Sequence, residues 1–288
     1  MKPRTHFWSG LAYCALLHLG AMAQASAQGP NVMGLVSSET SRGALSSFRT
    51  AEFSVTESAF AREQLRHSRV RLAQLHTRPT ISRLFNEKNI RHPAAEVFLR
   101  VFKHERVLEV WVRPVDDARF QLLRTYGICA LAGKPGPKRR QGDAQVPEGF
   151  YYIDMFNPTS AYHLSLRINY PNARDAAVNG SDPGDNIYIH GGCQSEGCLA
   201  VNDGTIEELY WIAVEARAVG QQNIPVHIFP ARLNGAEMDR IKDDFRDQPD
   251  MVQFWKTLRP GYEYFERNHR LPQVYVDADG SYRLSRGG

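Results

Sequence analysis

The chain has 288 residues, 42% of them hydrophobic, and a formal charge of +4. That length can bury one substantial core plus an accessory piece. So small a positive excess argues against nucleic acid as a partner, the more so because Lys2 and Arg4 lie in a segment expected to be removed.

In chain order, Lys2 and Arg4 precede an apolar stretch from Phe7 to Met22, and Ala25-Ser26-Ala27 follows as an A-x-A cleavage site. The stretch is short for a membrane anchor, carries His18 and ends in small residues. Residues 1–27 are therefore expected to be a cleaved export signal rather than a transmembrane segment, and no later apolar run is long enough to span a bilayer. Tyr13 beside Cys14 fits a lipoprotein signal poorly.

Residues 28–95 read as a linker and a helical N-terminal extension. The first part, to about residue 52, is rich in Ser, Gly and Thr without periodicity. Ser54-x-x-Glu57 is a capping box, and Ala61, Leu65, Leu72 and Leu75 recur at helical spacing. Arg62, Arg66 and Arg69 lie on another face, which is either solvated or set against an anionic envelope polymer or headgroup. Pro79 is expected to end this helix and Thr80 to Lys88 to form a second.

From Val97 the pattern turns to strands. Val97 to Phe102 and Val107 to Val112 predict a hairpin around His104-Glu105-Arg106. Phe120 to Cys129, Gly149 to Asp154, His163 to Asn169, Asn186 to His190 and Pro225 to Phe229 continue the series. Between them lies a basic, turn-rich loop, Gly133 to Asp143. Thr205 to Ala218 predicts an amphipathic helix on Ile206, Leu209, Tyr210 and Ala213, with Gly220 at its C-cap. A helix around Met251 to Leu258 and a hairpin around Ala278-Asp279-Gly280 close the chain. The class is α+β: a β-rich domain over 96–232 with helices at its edges, behind the helical extension and followed by a C-terminal piece over 233–288.

Removal of the signal takes Cys14 and leaves Cys129, Cys193 and Cys198, an odd number in an exported chain. One thiol must stay free or pair between chains. The segment Ile189-His190-Gly191-Gly192-Cys193-Gln194-Ser195-Glu196-Gly197-Cys198 sets an imidazole at the end of a strand and a thiol after a loop of small residues. A thiol nucleophile needs a base in reach and N–H groups to receive charge on the attacked carbonyl. His190 could be that base, with a carbonyl of the Gly191–Gly192 stretch as its orienting partner, and the N–H groups of Gly197 and Cys198 could receive the charge. A metal site of His190, Cys193, Cys198 and Cys129 is the competing reading, although the spacing is not a common zinc pattern. A Cys129–Cys193 disulfide would instead leave Cys198 as the free thiol.

With those residues in view, the sequence resembles the YkuD-type L,D-transpeptidase catalytic domain, whose signature is His-Gly after a strand and then Ser/Thr-x-Gly-Cys. His190-Gly191 and Ser195-Glu196-Gly197-Cys198 occupy those positions. Gly136 to Asp143, Val146 to Tyr151, Asn169 to Asn172 and Ile224 to Phe229 are similar to the YafK-like branch of murein L,D-transpeptidase homologues. The resemblance implies the L,D-transpeptidase fold of packed mixed sheets with edge helices. It implies Cys198 as acyl-accepting nucleophile, His190 as base, and an oxyanion and substrate pocket shaped by Ser195, Gly197 and Gly191. Lys138, Arg139 and Arg140 are candidate substrate contacts, against a solvated basic loop as the favoured reading, and Tyr170, Tyr126 and His163 are candidate cleft residues, with core packing as the equal rival. Two departures bear on the acyl acceptor: the His-to-Ser spacer is short with Glu196 before Gly-Cys, and Ala200 stands where Arg or Asn is common.

The implied activity is transfer of the meso-diaminopimelate carbonyl of a peptidoglycan stem peptide, through a thioester on Cys198, to an amine. Hydrolytic release of a lipoprotein from peptidoglycan, with that lipoprotein as a second partner, is the alternative within the family. A non-catalytic wall-binding module is the alternative outside it. The resemblance implies a periplasmic location, and neither a cofactor nor a metal.

Overall fold

The structure, a computed structural model, describes residues 55–285; the predicted signal, most of the linker and Ser54 lie outside them. Its centre is β1 (Glu96–Phe102), in which every residue from Val97 onward is buried. A strand buried throughout must be covered on both faces, because alternate side chains point to opposite sides. Val97, Leu99 and Val101 join one apolar cluster. Phe98 and Phe102 enter two others on the opposite face.

The predicted hairpin is present: β1 pairs antiparallel with β2 (Val107–Arg113). The sheet also contains β3 (Gln121–Gly127), β4 (Ala130–Leu131), β5 (Gly149–Asn157), β6 (Ser165–Ile168), β7 (Tyr188–His190), β8 (Leu199–Ala200) and β9 (Ile224–Phe229). Among the described residues these form one nine-stranded mixed sheet in the order β3-β2-β1-β9-β5-β6-β7-β8-β4. Only the β1–β9 and β7–β8 pairs are parallel.

On one face lies α4 (Asp203–Ala218), capped by the Asn202 side chain on Thr205 N–H. The predicted apolar stripe of this helix is buried, but so are Trp211, Ile212, Val214 and Glu215. The reason is a second cover: α1 (Ala59–Gln64) and α2 (Ser68–Glu87) of the N-terminal extension pack on its back. Glu215 meets His92 Nε2 at 2.7 Å, and Tyr210 donates to Gln64 Oε1 at 2.6 Å. After α4, Val219 is the C-cap and Gly220 follows at φ +108°, one position beyond the cap.

The N-terminal helices depart from expectation in two ways. Ser58 caps α1 through Ala61 N–H, while the expected capping box rests on Ser54, outside the described residues. Pro79 does not end α2, because it and Leu75, the residue whose carbonyl it leaves without a partner, both sit on the solvent side. The buried face of α2 is Val70, Ala73, Thr77, Ile81, Leu84 and Phe85, whereas Leu72 and Leu75 are 51% and 66% exposed. The predicted stripe crosses a break at Leu65 to His67, which turns the second helix relative to the first.

The other sheet face is covered by α5 (Gly235–Asp244) and α6 (Pro249–Asn268), which extends ten residues beyond Leu258. Trp255, Leu258, Tyr262 and Phe265 of α6 meet Phe98, Phe102, Phe150 and Phe229 of the sheet. A short helix, α3 (Ala173–Val178), opens with a capping box of Asn172 and Asp175. The closing hairpin, β10 (Gln273–Val276) with β11 (Tyr282–Ser285), forms a separate small sheet.

One buried ion pair joins these layers. Lys103, just after β1, meets Glu148, just before β5, at 2.9 Å, with both side chains at most 1% exposed. Gly136 N–H and Trp255 Nε1–H also donate to the Glu148 carboxylate, and Lys103 Nζ donates to the carbonyls of Gly136 and Val146. Removing one member leaves the other charge buried and unpaired, at a cost of ~3–5 kcal/mol. Glu148→Gln should therefore lower the calorimetric melting temperature by on the order of 10 °C. Adding Lys103→Met to that variant should recover part of the loss, as a double-mutant cycle would measure.

Candidate active site

Ile189 and Leu199 are fully buried and stand opposite each other in the parallel β7–β8 pair, with His190 opposite Ala200. His190 closes β7, and Cys198 stands in the bend immediately before β8, the parallel neighbour of β7. Their eight-residue separation in sequence is spanned by the intervening loop.

Three ties shape that loop. Cys129 and Cys193 form a disulfide with Cα atoms 5.4 Å apart, while Cys198 is a free cysteine. The metal reading loses two of its four ligands to this bond, and among the described residues no His, Cys, Asp or Glu grouping could hold a metal ion. Ser195 Oγ donates to Cys198 O at 2.6 Å and accepts Gly197 N–H at 3.2 Å, closing a tight turn. Gly197 holds φ +128° there, with Gln145 O only 3.4 Å from where a Cβ would stand. Asp203, at the start of α4, accepts Gly192 N–H at 2.9 Å. A side chain on Gly191 would strike the same carboxylate at 2.5 Å, so the backbone must be bare to pass.

His190 is 3% exposed. Its Nδ1 lies 2.6 Å from Gly191 O, the carbonyl expected from the Gly191–Gly192 stretch. A carbonyl can only accept, so Nδ1 carries the proton and Nε2 keeps its lone pair. The ring of Tyr162 covers the imidazole, with centroids 4.6 Å apart and planes tilted by 35°. Burial pushes the imidazole below its ordinary pKa, against the opposing Gly191 carbonyl.

Tyr188 N–H points at Cys198 Sγ at 3.4 Å, and Asn186 O lies 3.8 Å from the same sulfur. Burial pushes the Cys198 thiol up; Tyr188 N–H and the Lys138 charge pull it down without cancelling that effect. Both shifts favour the uncharged forms, a thiol and a neutral imidazole.

The basic loop is organised around Asp143. Its carboxylate accepts Lys138 Nζ at 2.7 Å and the N–H groups of Arg139, Arg140 and Gln145. Burial alone would raise the Asp143 carboxyl, but those bonds hold it below the ordinary carboxylate range. Lys138 is 4% exposed and also donates to Arg140 O, so it is not a solvated cation; Arg139 and Arg140 are exposed. Tyr170 donates to Pro183 O at 2.8 Å, a contact within the fold. Tyr126 donates to Glu208 and His163 meets Glu207, both on α4, so neither polar end faces the sulfur. Beside Asn186 runs a polar groove of about 410 Å³ whose lining includes Asp154, Arg167, Asn169, Tyr170 and Asp185.

Tyr162, Asp143 and Asp203 carry no motif of their own, and sequence reasoning misses them as functional residues. The faint signals are the turn residues before Tyr162 and the Asn202-Asp203 pair opening α4.

The family description of the YkuD L,D-transpeptidase catalytic domain matches residues 98–228. A curated relative from Escherichia coli (strain K12), "Putative L,D-transpeptidase YafK", is 39% identical over 193 residues, covering 66% of this chain and 74% of the relative. The helical cell shape determining protein Pgp2 from Campylobacter jejuni is similar at 17% identity and a TM-score of 0.39, over 64% of this chain and 73% of that one. Bdellovibrio bacteriovorus Bd1075 is similar at 20% identity and a TM-score of 0.35, over 64% and 75%.

The surroundings of the sulfur set its reactivity. Alkylation of Cys198 by iodoacetamide should rise with pH about a midpoint above the ~8.5 of an ordinary thiol. Lys138→Met removes a cation that favours the thiolate, so the midpoint should move up and the rate at pH 8 should fall, as mass spectrometry of the alkylated protein would show.

Proposed function

The chain belongs to the L,D-transpeptidase family, and from that premise we propose that it is an exported cysteine acyl-transfer enzyme of peptidoglycan stem peptides. The observation that carries this reading is a free cysteine, Cys198, entering the strand paired with the one His190 closes, with His190 Nδ1 held by Gly191 O and Nε2 left basic. Cys198 Sγ attacks the L-centre carbonyl of meso-diaminopimelate while its proton passes to Nε2 of His190. The tetrahedral intermediate places its negative charge on the carbonyl oxygen. Cys198 N–H is the donor we assign to it, because Gly197 N–H is held by Ser195 Oγ at rest. Such a donor contributes ~3 kcal/mol. Collapse breaks the amide, His190 returns the proton to the leaving amine, and a thioester remains. An amine or water then attacks the thioester, His190 taking the incoming proton and the thiol being restored.

Ser195 and Gly191 act on this chemistry through the backbone: the first staples the nucleophile's turn, the second orients the base. Lys138 favours developing thiolate from within the fold. Arg139 and Arg140, exposed at the same loop, are the cations left to meet substrate carboxylates. The polar groove beside Asn186, with both signs of charge, suits a stem peptide that carries amines and carboxylates together. The Cys129–Cys193 disulfide supports export to the periplasm, since such bonds persist in oxidising compartments. Among the described residues no helix is long and apolar enough to cross a membrane.

Cys198→Ala should abolish turnover of purified muropeptides, and His190→Ala should lower it by ~100-fold or more. Retained turnover in Cys198→Ala would sink the assignment. A carbapenem should add covalently to the wild type and not to Cys198→Ala, as intact-mass measurement would show; an unmodified wild type would favour a wall-binding module. Mass spectrometry of digested sacculi separates transfer, which yields new diaminopimelate–diaminopimelate bonds, from hydrolysis, which frees lipoprotein tails.

A further inference from the structure

The segment that covers His190 is not part of β7 or β8. It is the turn from Pro158 to Leu164, which delivers the Tyr162 ring onto the imidazole and the Tyr162 carbonyl to Gly191 N–H at 3.0 Å. The turn holds little of its own shape. Tyr162 N–H bonds to Ser160 Oγ, and Thr159 N–H to Asn157 Oδ1. His163 sits at φ +70°, a left-handed conformation that costs a residue with a side chain ~1 kcal/mol or more. Tyr162 itself is 46% exposed, so its own burial does not hold it in place. An unfavourable, partly solvated turn keeps one geometry only when something outside it fixes its ends.

That fixing comes from the N-terminal extension. Arg69, in the first turn of α2, donates from Nη1 to the carbonyls of Ser160, at 2.7 Å, and His163. These two carbonyls flank Tyr162 on either side. Among the described residues Arg69 has no carboxylate partner, unlike its neighbour Arg66, which pairs with Glu63 at 3.0 Å. A second tie runs parallel: Glu207 of α4 accepts from His163 Nε2 at 2.8 Å and from His76 of α2 at 3.2 Å. The arginine stripe of the sequence thus divides. Arg62 and Arg66 are exposed, while Arg69 is committed to the turn over the imidazole.

We infer that Arg69 is a positioning residue for His190, and that the N-terminal helical extension serves the reaction by holding the 158–164 turn over the base. The inference rests on the reading of His190 as that base. Guanidinium suits the task because its fixed fork of donors serves two carbonyls from one position. The titratable and charged groups around the imidazole are Cys198 just before the adjacent strand, Tyr162 above it, Asp203 bonded to Gly192 N–H, and Arg69 with the His163–Glu207–His76 chain behind the turn. Loosening the turn admits water to the ring and frees its tilt against Nε2's line of approach to the sulfur.

The test uses the full chain with Arg69→Ala, Arg69→Lys and, as the control in the same stripe, Arg66→Ala. In Arg69→Ala, kcat on muropeptides should fall about 10-fold with KM changed by less than about twofold, the signature of a displaced catalytic group. The His190 imidazole, followed by nitrogen-15 NMR, should titrate at higher pH than in the wild type as water reaches it. Arg69→Lys, which keeps a donor for the carbonyls, should recover most of both effects, and Arg66→Ala should show neither. A folded Arg69→Ala with unchanged kcat and unchanged imidazole titration overturns the inference. Should Arg69→Ala fail to fold, Tyr162→Ala decides: an unmoved His190 titration there overturns it equally, and a raised one supports it. The NMR signal does not depend on His190 being the base, so a failure of the positioning role is distinguishable from a failure of His190→Ala to lower turnover.

Discussion

The buried pair of Lys103 and Glu148 is the constraint on which the rest of the structure turns. Taking two charges out of water is unfavourable unless every remaining donor and acceptor is met, and here each is. Burial still pulls the Lys103 ammonium below its ordinary pKa, with Glu148 opposing. The partners come from the end of β1, both ends of the basic loop and the middle of α6. None of those segments can shift without stranding a charge. The basic loop is thereby fixed at its two roots, and its interior is folded chiefly on Asp143, with Asn179 and Asp182 holding the carbonyl of Lys138 and the N–H of Gln141. That is how a stretch with three consecutive basic residues and several glycines keeps the Lys138 charge where the Cys198 sulfur feels it.

The same logic governs the site. His190 ends a strand of three residues and Cys198 precedes one of two, far too short to hold geometry by ladder bonds. Each is held instead by a bond to its own backbone neighbourhood: Gly191 O for the imidazole, Tyr188 N–H for the sulfur, Ser195 for the turn between them. The disulfide then anchors the loop to the strand edge at Cys129. Burial favours the uncharged form of both side chains, so neither needs a charged partner in the folded chain.

How much of this was legible in the sequence follows from the range of the forces involved. The β1–β2 hairpin, β5, β9 and α4 could be read because their alternation or helical period is local. The free state of Cys198 and the Gly191 carbonyl on His190 could be read because they lie in one segment. The face of α2 could not: Leu72 and Leu75 have the composition of a core and the position of a surface, since what decides is the back of α4, over a hundred residues away. Pro79 misled for a related reason. A proline breaks a helix where its missing bond is buried, and here the bond faces water. Lys138 was legible as a cation but not as a buried one, because Asp143 acts through three backbone N–H groups that carry no sequence signature.

Tyr162 and Arg69 mark the limit most sharply. Neither belongs to a motif, and they lie far apart in the chain, yet they meet at the turn covering His190. Strands as short as β7 and β8 do not themselves cover His190. Its cover comes from a turn, and a turn with a left-handed residue at its exit must be held from outside. The helical extension, packed on α4, reaches that turn through Arg69. Packing of α2 against α4 therefore does two things at once: it completes the burial of α4, and it brings a guanidinium to the carbonyls on either side of Tyr162. The accessory helices and His190 are thereby joined through one turn, held by Arg69 on one side and laid over the imidazole on the other.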